Sequence, residues 1–414
     1  MRPVVVIGAG EAGMQFVAHL VEQVRGARVI LVDASEDWPY HKPAMSKAYL
    51  KDRHEKPQWI RSLHWFERHG VEFIRGARLV AFNVKWQTAH LDNGRLLQYS
   101  RLILAFGTHV RVPEIRGLDL PGVSTLRTRQ DADEIRRWAN PSTYPVVLGA
   151  GFLGMEAATA MARHGRQVSI IEAGPRLLGH RVAPEVSATC QRRLERADVT
   201  VHLNTTVTEV LGDDRIRQLK LDNGKVIPAE ALVVAVGSQL DTRVAEVAKL
   251  ACDDGILVDG SMRTSGHHVY AIGDCARFYS PRYGKRLRLE SIQNASDTAR
   301  RAVEAMRGFY SSEYDATPWF WSEVAGIRLQ ICGLSESANR RLVVGDTDRD
   351  RYSVYHFAGD ELVAVDSVDD EAAHLMVRRF FDLGRLPSQD DIEAGPKHLQ
   401  LLYNDWVREL TDTI

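Results

Sequence analysis

Residues 4–33 read VVVIGAGEAGMQFVAHLVEQVRGARVILVD, and their order decides the fold. Four apolar residues, Val4 to Ile7, predict a short buried strand. Gly8, Gly10 and Gly13 follow as G-x-G-x-x-G, a helical pattern runs to about Arg25, and a second apolar strand, Val29 to Val32, ends on Asp33. Each glycine has a physical task. Gly8 makes the tight turn out of the strand, Gly10 leaves the backbone open to a pyrophosphate, and Gly13 lets the helix lie close to the sheet. The helix start offers N–H groups and a positive dipole end to the phosphates. Asp33, 20 residues past Gly13, stands where a carboxylate accepts both hydroxyls of an adenosine ribose. A glycine motif that follows a strand, opens a helix and ends in a second strand with an acid specifies a dinucleotide-binding unit.

The same unit occurs again. Residues 146–172 read VVLGAGFLGMEAATAMARHGRQVSIIE, with Gly149, Gly151 and Gly154 in the glycine positions and Glu172 as the acid, 18 residues past Gly154. Leu91-Asp92-Asn93-Gly94-Arg95 is matched by Leu221-Asp222-Asn223-Gly224-Lys225. Asn-Gly between apolar runs predicts a hairpin with a type I′ turn. Thirteen residues past each of those glycines lie Gly107 and Gly237, each at the end of an apolar run. Two intact fingerprints in a duplicated frame imply two bound dinucleotides.

A chain of 414 residues exceeds one typical domain. Its 44% hydrophobic and 26% charged residues are ordinary for a globular protein, and a net charge of −1 excludes global binding of nucleic acid or an anionic membrane. No apolar run approaches the roughly 18 residues of a membrane span, and no signal-peptide pattern precedes the glycine loop, so a cytoplasmic location is expected. The four cysteines, Cys190, Cys252, Cys275 and Cys332, are scattered without CxxC or Cys/His spacing. Neither a disulfide framework, a metal site nor an on-chain iron–sulfur cluster is expected.

Residues 1–112 form the first unit. The segment Val112 to Gly122, VPEIRGLDLPG, reads as a crossover linker, and residues 113–241 form the second unit. Two strand-like runs lie within Gly255 to Asp274, and Gln293 to Gly308 reads as a helix with a glycine stop. From Pro318 the pattern changes. Strands are predicted at Arg328–Cys332, Arg341–Val344, Tyr352–Phe357 and Leu362–Val365, with a helix at about Asp370–Leu383: a third, α+β domain.

Several further motifs then make the chain recognisable. They are Pro39-Tyr40-His41-Lys42-Pro43-Ala44-Met45-Ser46-Lys47, Leu126-Arg127-Thr128, YAIGDCA at 270–276, Glu290-Ser291-Ile292-Gln293-Asn294-Ala295 and Pro318-Trp319-Phe320-Trp321-Ser322. With the two fingerprints, in this order, they resemble the FAD-dependent, NADH-using ferredoxin reductases of bacterial oxygenase systems over essentially the whole length. The resemblance implies an α/β fold: two Rossmann-like domains of glutathione-reductase type plus a C-terminal α+β domain. Residues 1–112 and 242–317 would form a discontinuous FAD domain, 113–241 the NADH domain and 318–414 the C-terminal domain. FAD contacts would fall on Gly8, Gly10, Ala12, Gly13, Asp33, Lys47, Val80, Arg127, Asp274, Ile292 and Trp321. NADH contacts would fall on Gly149, Gly151, Gly154, Glu156, Glu172 and Gly237. The chain departs from the family at Lys42, where arginine is usual, at Ala105-Phe106-Gly107 and at Glu323-Val324-Ala325.

The implied chemistry is hydride transfer from NADH to FAD and single-electron release to a separate [2Fe–2S] ferredoxin or a rubredoxin feeding an oxygenase. Lys47 and Glu156 would pair at the flavin N5 edge as the catalytic residues. A helix-capping role is the structural alternative for Glu156, two residues past Gly154. Glu172 would repel a 2′-phosphate and select NADH, with Arg176 the nearest cation. The competing readings on such a fold are a disulfide reductase, an NADH oxidase or peroxidase, and a non-catalytic flavoprotein. The first two need a redox cysteine near the flavin, and Pro43 to Lys47 contains none. Ferredoxins are acidic, so the partner would meet a local basic patch. Arg300, Arg301 and Arg307 on the helix Gln293–Arg307 are candidates.

Overall fold

The computed structural model of the chain describes residues 2–52, 54–138, 144–163, 167–310 and 313–412. Two compact units emerge. The first comprises Met1–Lys42, Lys56–His109 and Ser238–Ala316, and the second Pro43–Glu55, Val110–Gly237 and Thr317–Ile414. The loop that carries Ser46 and Lys47 therefore leaves the first dinucleotide-binding unit in sequence and packs with the second.

The first unit is built on a five-stranded parallel sheet in the order Val269–Ala271, Arg101–Leu104, Val4–Ile7, Val29–Val32, Val71–Ile74. Val4–Ile7 is central and wholly buried, as a parallel strand covered on both faces must be. The chain leaves it first for Val29–Val32 and only later returns to its other side at Arg101–Leu104, which creates a topological switch point at the carboxyl end of the strand. The helix Glu11–Gln23 packs along Ile292–Met306. Buried Ala295, Ala299 and Ala302 on the latter keep the two axes close.

The second unit repeats this plan with the order Val199–His202, Val168–Ile171, Pro145–Leu148, Ala231–Val234, Val123–Thr125, all parallel. His164, Gly165 and Arg166, in the predicted repeat, lie outside the described residues. The segment 112–122 does more than connect. Ile115, Leu118 and Leu120 pack on the core of Val146, Ile171, Leu219 and Leu232, and the Arg116 carbonyl accepts from Val210 N at 2.9 Å.

Each unit carries a three-stranded antiparallel sheet, Leu79–Asn83 with Thr88–Leu91 and Leu96–Gln98, and Val207–Leu211 with Gln218–Leu221 and Val226–Pro228. Their Asn-Gly turns are not type I′. Gly94 and Gly224 take φ of +82° and +81°, but neither Asn93 nor Asn223 has a positive φ. Gly94 N donates to Leu91 O, and Leu91 N donates to Arg95 O; Leu221, Gly224 and Lys225 repeat the pattern. These are three-residue loops, in which Asp92 and Asp222 join the turn and only the glycine must be left-handed.

The C-terminal part is a five-stranded antiparallel sheet in the order Trp319–Val324, Ile327–Gly333, Glu361–Val368, Arg351–Ala358, Arg340–Asp346. Helices Glu371–Leu383, Gln389–Glu393 and Pro396–Thr411 follow it. The predicted strands are all present and longer. The predicted helix starts one residue later, because Asp370 caps it by accepting from Ala373 N. Trp319–Val324 and the last two helices are additions. Cys332, Tyr355, Phe357 and Val365 of the sheet pack against Val377, Phe380, Phe381 and Leu399 of the helices. This sheet grips the helix Pro184–Arg196 through polar contacts: Arg192 and Arg193 on buried Asp350, Thr189 on Tyr352 at 2.9 Å, and Asp366 accepting from Ala183 N at 2.7 Å. Among the described residues, no helix is long and apolar enough to cross a membrane.

Candidate functional site: two dinucleotide cradles and a buried ion pair

The glycine loops are alike atom for atom. A Cβ on Gly8, at φ +107°, would lie 2.2 Å from Ala105 O; one on Gly149, at φ +102°, would lie 2.5 Å from Ala235 O. A Cβ on Gly13 would lie 1.9 Å from Gly8 O, and one on Gly154 2.0 Å from Gly149 O. These four positions exclude any side chain because backbone already fills the space. Gly10 and Gly151 are different: a Cβ on either would meet nothing within 4 Å. Each begins a helix whose backbone N–H groups receive no side-chain cap. Open space above uncapped N–H donors at the positive end of a helix suits a diphosphate.

The two acids are held alike as well. Asp33 accepts from Ala9 N and Ser35 N, and Glu172 accepts from Ala150 N and Gly174 N, both at 2.7 Å. Each carboxylate is thus fixed beside its glycine loop. Arg176, the cation nearest Glu172 in sequence, spends its guanidinium on Val182 O at 2.8 Å.

In the first unit, Ala77 N donates to Asp33 O at 3.0 Å, which brings the start of the strand bearing Val80 beside the acid; Val80 itself is exposed. Gly273 abuts the first turn of the helix Glu11–Gln23, where its Cβ would come within 2.7 Å of that of Ala12. Asp274 follows it, half-buried, in a turn pinned by Gly273 N to Thr298 Oγ1 at 2.9 Å. Ile292 opens the helix that carries Thr298, with Ser291 as its cap. Glu11, at the helix start, pairs with His41 Nδ1 at 3.2 Å, a contact the sequence reading missed. Gly8, Gly10, Ala12, Gly13, Asp33, Asp274 and Ile292 thus cluster about one switch point. These features fit an FAD.

In the second unit, Gly237 takes φ +110°, and Arg127 N donates to Asp131, whose capping box with Thr128 opens the helix Arg129–Arg137. The central feature is Glu156. It is the fifth residue of the helix Phe152–Ala162, beyond the first turn, so it is not a capping residue. The helix is buried from Gly154 to Met161, with the sheet on one side and the strand Trp319–Val324 on another. A carboxylate there needs partners, since an uncompensated buried charge costs several kcal/mol. Glu156 Oε1 receives Lys47 Nζ at 2.9 Å and Ser322 Oγ at 2.6 Å; Oε2 receives Ser46 Oγ at 2.5 Å. Lys47 Nζ also stands 4.7 Å from the Trp321 ring centroid. Phe320 packs on Phe152 at 4.6 Å. The structure therefore brings Lys47, Glu156 and Trp321 together, and adds Ser46 and Ser322.

The loop bearing Lys47 is pinned by Tyr49, which donates to Asp133, and by Arg136, whose guanidinium lies 4.0 Å over the Tyr49 ring. While Cys252 is only half-buried, Cys190, Cys275 and Cys332 are buried, and burial pushes the Cys275 and Cys190 thiols up to about 12. Such thiols carry a negligible thiolate fraction at neutral pH.

Residues 2–299 match the family model described as pyridine nucleotide-disulphide oxidoreductase, and residues 319–400 match the reductase C-terminal model. The chain is 32% identical over 378 residues to rhodocoxin reductase of Rhodococcus erythropolis, covering 91% of this chain and 88% of that one. It is 31% identical to putidaredoxin reductase of Pseudomonas putida, covering 88% of each. Among solved structures, the ferredoxin reductase of the CYP199A2 system from Rhodopseudomonas palustris matches with a TM-score of 0.90 at 31% identity, over 94% of this chain and 97% of that one. The covalent putidaredoxin reductase–putidaredoxin complex matches with 0.93 at 28% identity, over 97% and 99%. With two intact dinucleotide cradles and this C-terminal sheet, the chain belongs to the pyridine nucleotide-disulphide oxidoreductase family, among its ferredoxin and rubredoxin reductases, and is an FAD-dependent oxidoreductase that draws on NAD(P)H.

Proposed function

We propose that this chain takes hydride from NADH and passes the electrons singly to a [2Fe–2S] ferredoxin that feeds an oxygenase. The observation that carries the reading is the buried Lys47–Glu156 pair beside Trp321, in a protein with two dinucleotide cradles and no accessible thiol at Cys190, Cys275 or Cys332. FAD supplies the chemistry that joins two-electron hydride acceptance to one-electron release. In this reading the FAD contacts fall on Gly8, Gly10, Ala12, Gly13, Asp33, Lys47, Val80, Arg127, Asp274, Ile292 and Trp321. Residues 1–112 with 242–317 serve FAD, 113–241 serve NADH, and 318–414 complete the flavin site.

Gly149, Gly151, Gly154, Glu156 and Gly237 bind NADH. Glu172 selects it, because a carboxylate fixed by two backbone N–H groups would face a 2′-phosphate with like charge, and Arg176 is committed to Val182 O. Lys47 contributes a positive charge where the reduced ring gains electron density, and Glu156 keeps that charge in place. Names among the relatives support the acceptor: rhodocoxin reductase, putidaredoxin reductase and the ferredoxin reductase component of a chlorobenzene dioxygenase.

An acidic partner would meet the helix Ile292–Met306 and the residue after it. Arg300 stands between Asp297 and Glu304, at 3.5 and 3.9 Å, so its charge is largely offset. Arg301 lies over the Tyr314 ring at 5.3 Å, and Arg307 donates to neutral Gln23 at 2.8 Å beside exposed Phe309. Arg301 and Arg307 thus carry more of the available positive charge than Arg300. The test is steady-state turnover with NADH or NADPH and a [2Fe–2S] ferredoxin from an oxygenase system. NADH should be preferred and the ferredoxin required for rapid reduction of a downstream cytochrome; equal use of NADPH, or turnover indifferent to ferredoxin, refutes the reading.

A further inference from the structure

We propose that Ser46 and Ser322 are positioning residues for Lys47: their hydroxyls occupy the Glu156 carboxylate so that the ammonium is left on one oxygen, facing Trp321. The inference rests on the reading of Lys47 as the cation at the flavin edge. Glu156 is 5% exposed, and three chain segments converge on it. Ser46 comes from the loop of the first dinucleotide unit's sequence, Glu156 from the second fingerprint helix, and Ser322 from the first strand of the C-terminal sheet. A carboxylate has about four acceptor sites and seeks donors at all of them when buried. Here two are taken by O–H donors at 2.5 and 2.6 Å, the short range of charge-assisted bonds. Lys47 then gives a single N–H, to Oε1, and stays over the indole at 4.7 Å.

Removing Ser46 takes away the donor to Oε2, and removing Ser322 leaves Oε1 with the ammonium, so either change draws Lys47 more strongly to the carboxylate. Lys47 would turn further into the carboxylate and away from the ring edge it serves. The Ser322 contact is not an accident of one rotamer. Ala325 N donates to Thr159 Oγ1 at 3.2 Å, one helical turn beyond Glu156, and Lys51 Nζ lies 3.5 Å from Glu323. The strand Trp319–Val324 is thus laid along the helix with Ser322 fixed above Glu156. On this account the C-terminal sheet sets the geometry of the Lys47–Glu156 pair.

The experiment uses the FAD-loaded protein and an anaerobic reductive titration against a redox dye. Ser46→Ala, Ser322→Ala and Ser322→Thr are each made alone and in a Lys47→Met background. Both alanine variants should bind reduced over oxidised flavin about tenfold less selectively, a shift of ~30 mV to more negative potential. Ser322→Thr, which keeps the hydroxyl, should return to the wild-type value. In the Lys47→Met background neither serine should have any further effect, because a positioning residue acts only through what it positions. Unchanged potentials in both alanine variants overturn the inference, as does an equal shift with and without Lys47. Should Ser322→Ala fail to fold, Ser46→Ala decides alone. Lys47→Met separates the two levels: if it lowers the potential while the serine variants do not, only the positioning inference fails; if it leaves the potential unchanged, the reading of Lys47 fails with it.

Discussion

Two glycines three residues apart should fail in opposite ways. A Cβ on Gly151 meets nothing within 4 Å, and the residue sits at φ −73° and ψ 178°, which alanine adopts without strain. Gly151→Ala should therefore fold as well as wild type, or gain up to about 1 kcal/mol through a less flexible unfolded chain. Its methyl would, however, fill the space above the uncapped helix start. If the NADH pyrophosphate passes there, at least one charge-assisted bond from the backbone is lost, worth ~1.5–3 kcal/mol, or about tenfold to a hundredfold in affinity. Gly154→Ala is the reverse case. Its Cβ would lie 2.0 Å from Gly149 O, a backbone atom, so the helix must back away by more than about 1 Å, an overpacking cost of roughly 1–3 kcal/mol or more. Thermal unfolding and NADH binding to the oxidised enzyme, measured side by side, separate the two. Gly10→Ala and Gly13→Ala should show the same split in the first unit, with FAD retention as the readout. Wild-type NADH affinity in Gly151→Ala, or full stability in Gly154→Ala, would refute the reasoning.

Glu172→Arg should lower the ratio of kcat/KM for NADH over NADPH by at least about tenfold, ~1.4 kcal/mol, and an unchanged ratio would show that the carboxylate does not face the ribose. His374 is wholly buried, and burial with the nearby Arg378 and Arg328 lowers its pKa from 6.5 to about 4. Its folded pKa lies below the unfolded one, so the unfolded state binds the extra proton: stability is intact above about 6.5 and falls by up to roughly 3 kcal/mol as the pH drops to about 4. His374→Leu should flatten the melting temperature across that window; the same slope in the variant would place the titration elsewhere. Arg307→Glu should slow ferredoxin reduction and weaken its salt dependence more than Arg300→Glu does, while ferricyanide reduction stays near wild type. Equal slowing of both acceptors would mark these arginines as structural.

Most of this architecture is written in local sequence. Val4 to Asp33 and Val146 to Glu172 each combine strand, glycine loop, helix and acid within about 30 residues, and short-range sterics oblige them to fold as they do. The C-terminal strands were legible from their β-branched and aromatic runs. The turn type at Asn93-Gly94 was not, because Asn-Gly supports both a two-residue and a three-residue loop, and the register of the flanking strands decides between them. The strand Trp319–Val324 was masked by its aromatics, which read as a cluster rather than as alternation.

Long-range contacts were the least legible. Nothing near Pro43 says that the loop to Glu55 packs with residues more than 80 positions later, through Tyr49 on Asp133 and Arg136. Ser46 and Ser322 were visible only as members of motifs. One signal for them did exist. Phe152–Ala162 is apolar on every face apart from Thr159 and Glu156, so the helix had to be buried and its carboxylate had to find donors.

The central claim is that hydride enters from NADH and leaves as single electrons on a ferredoxin. Anaerobic double-mixing stopped-flow tests it directly: the FAD-loaded enzyme is bleached with one equivalent of NADH, then mixed with oxidised [2Fe–2S] ferredoxin. The account predicts rapid bleaching, then flavin reoxidation matched by reduction of two ferredoxins per NADH, and much slower reoxidation when oxygen replaces the ferredoxin. Reduced flavin that ignores the ferredoxin but reoxidises rapidly with oxygen or a disulfide would contradict it.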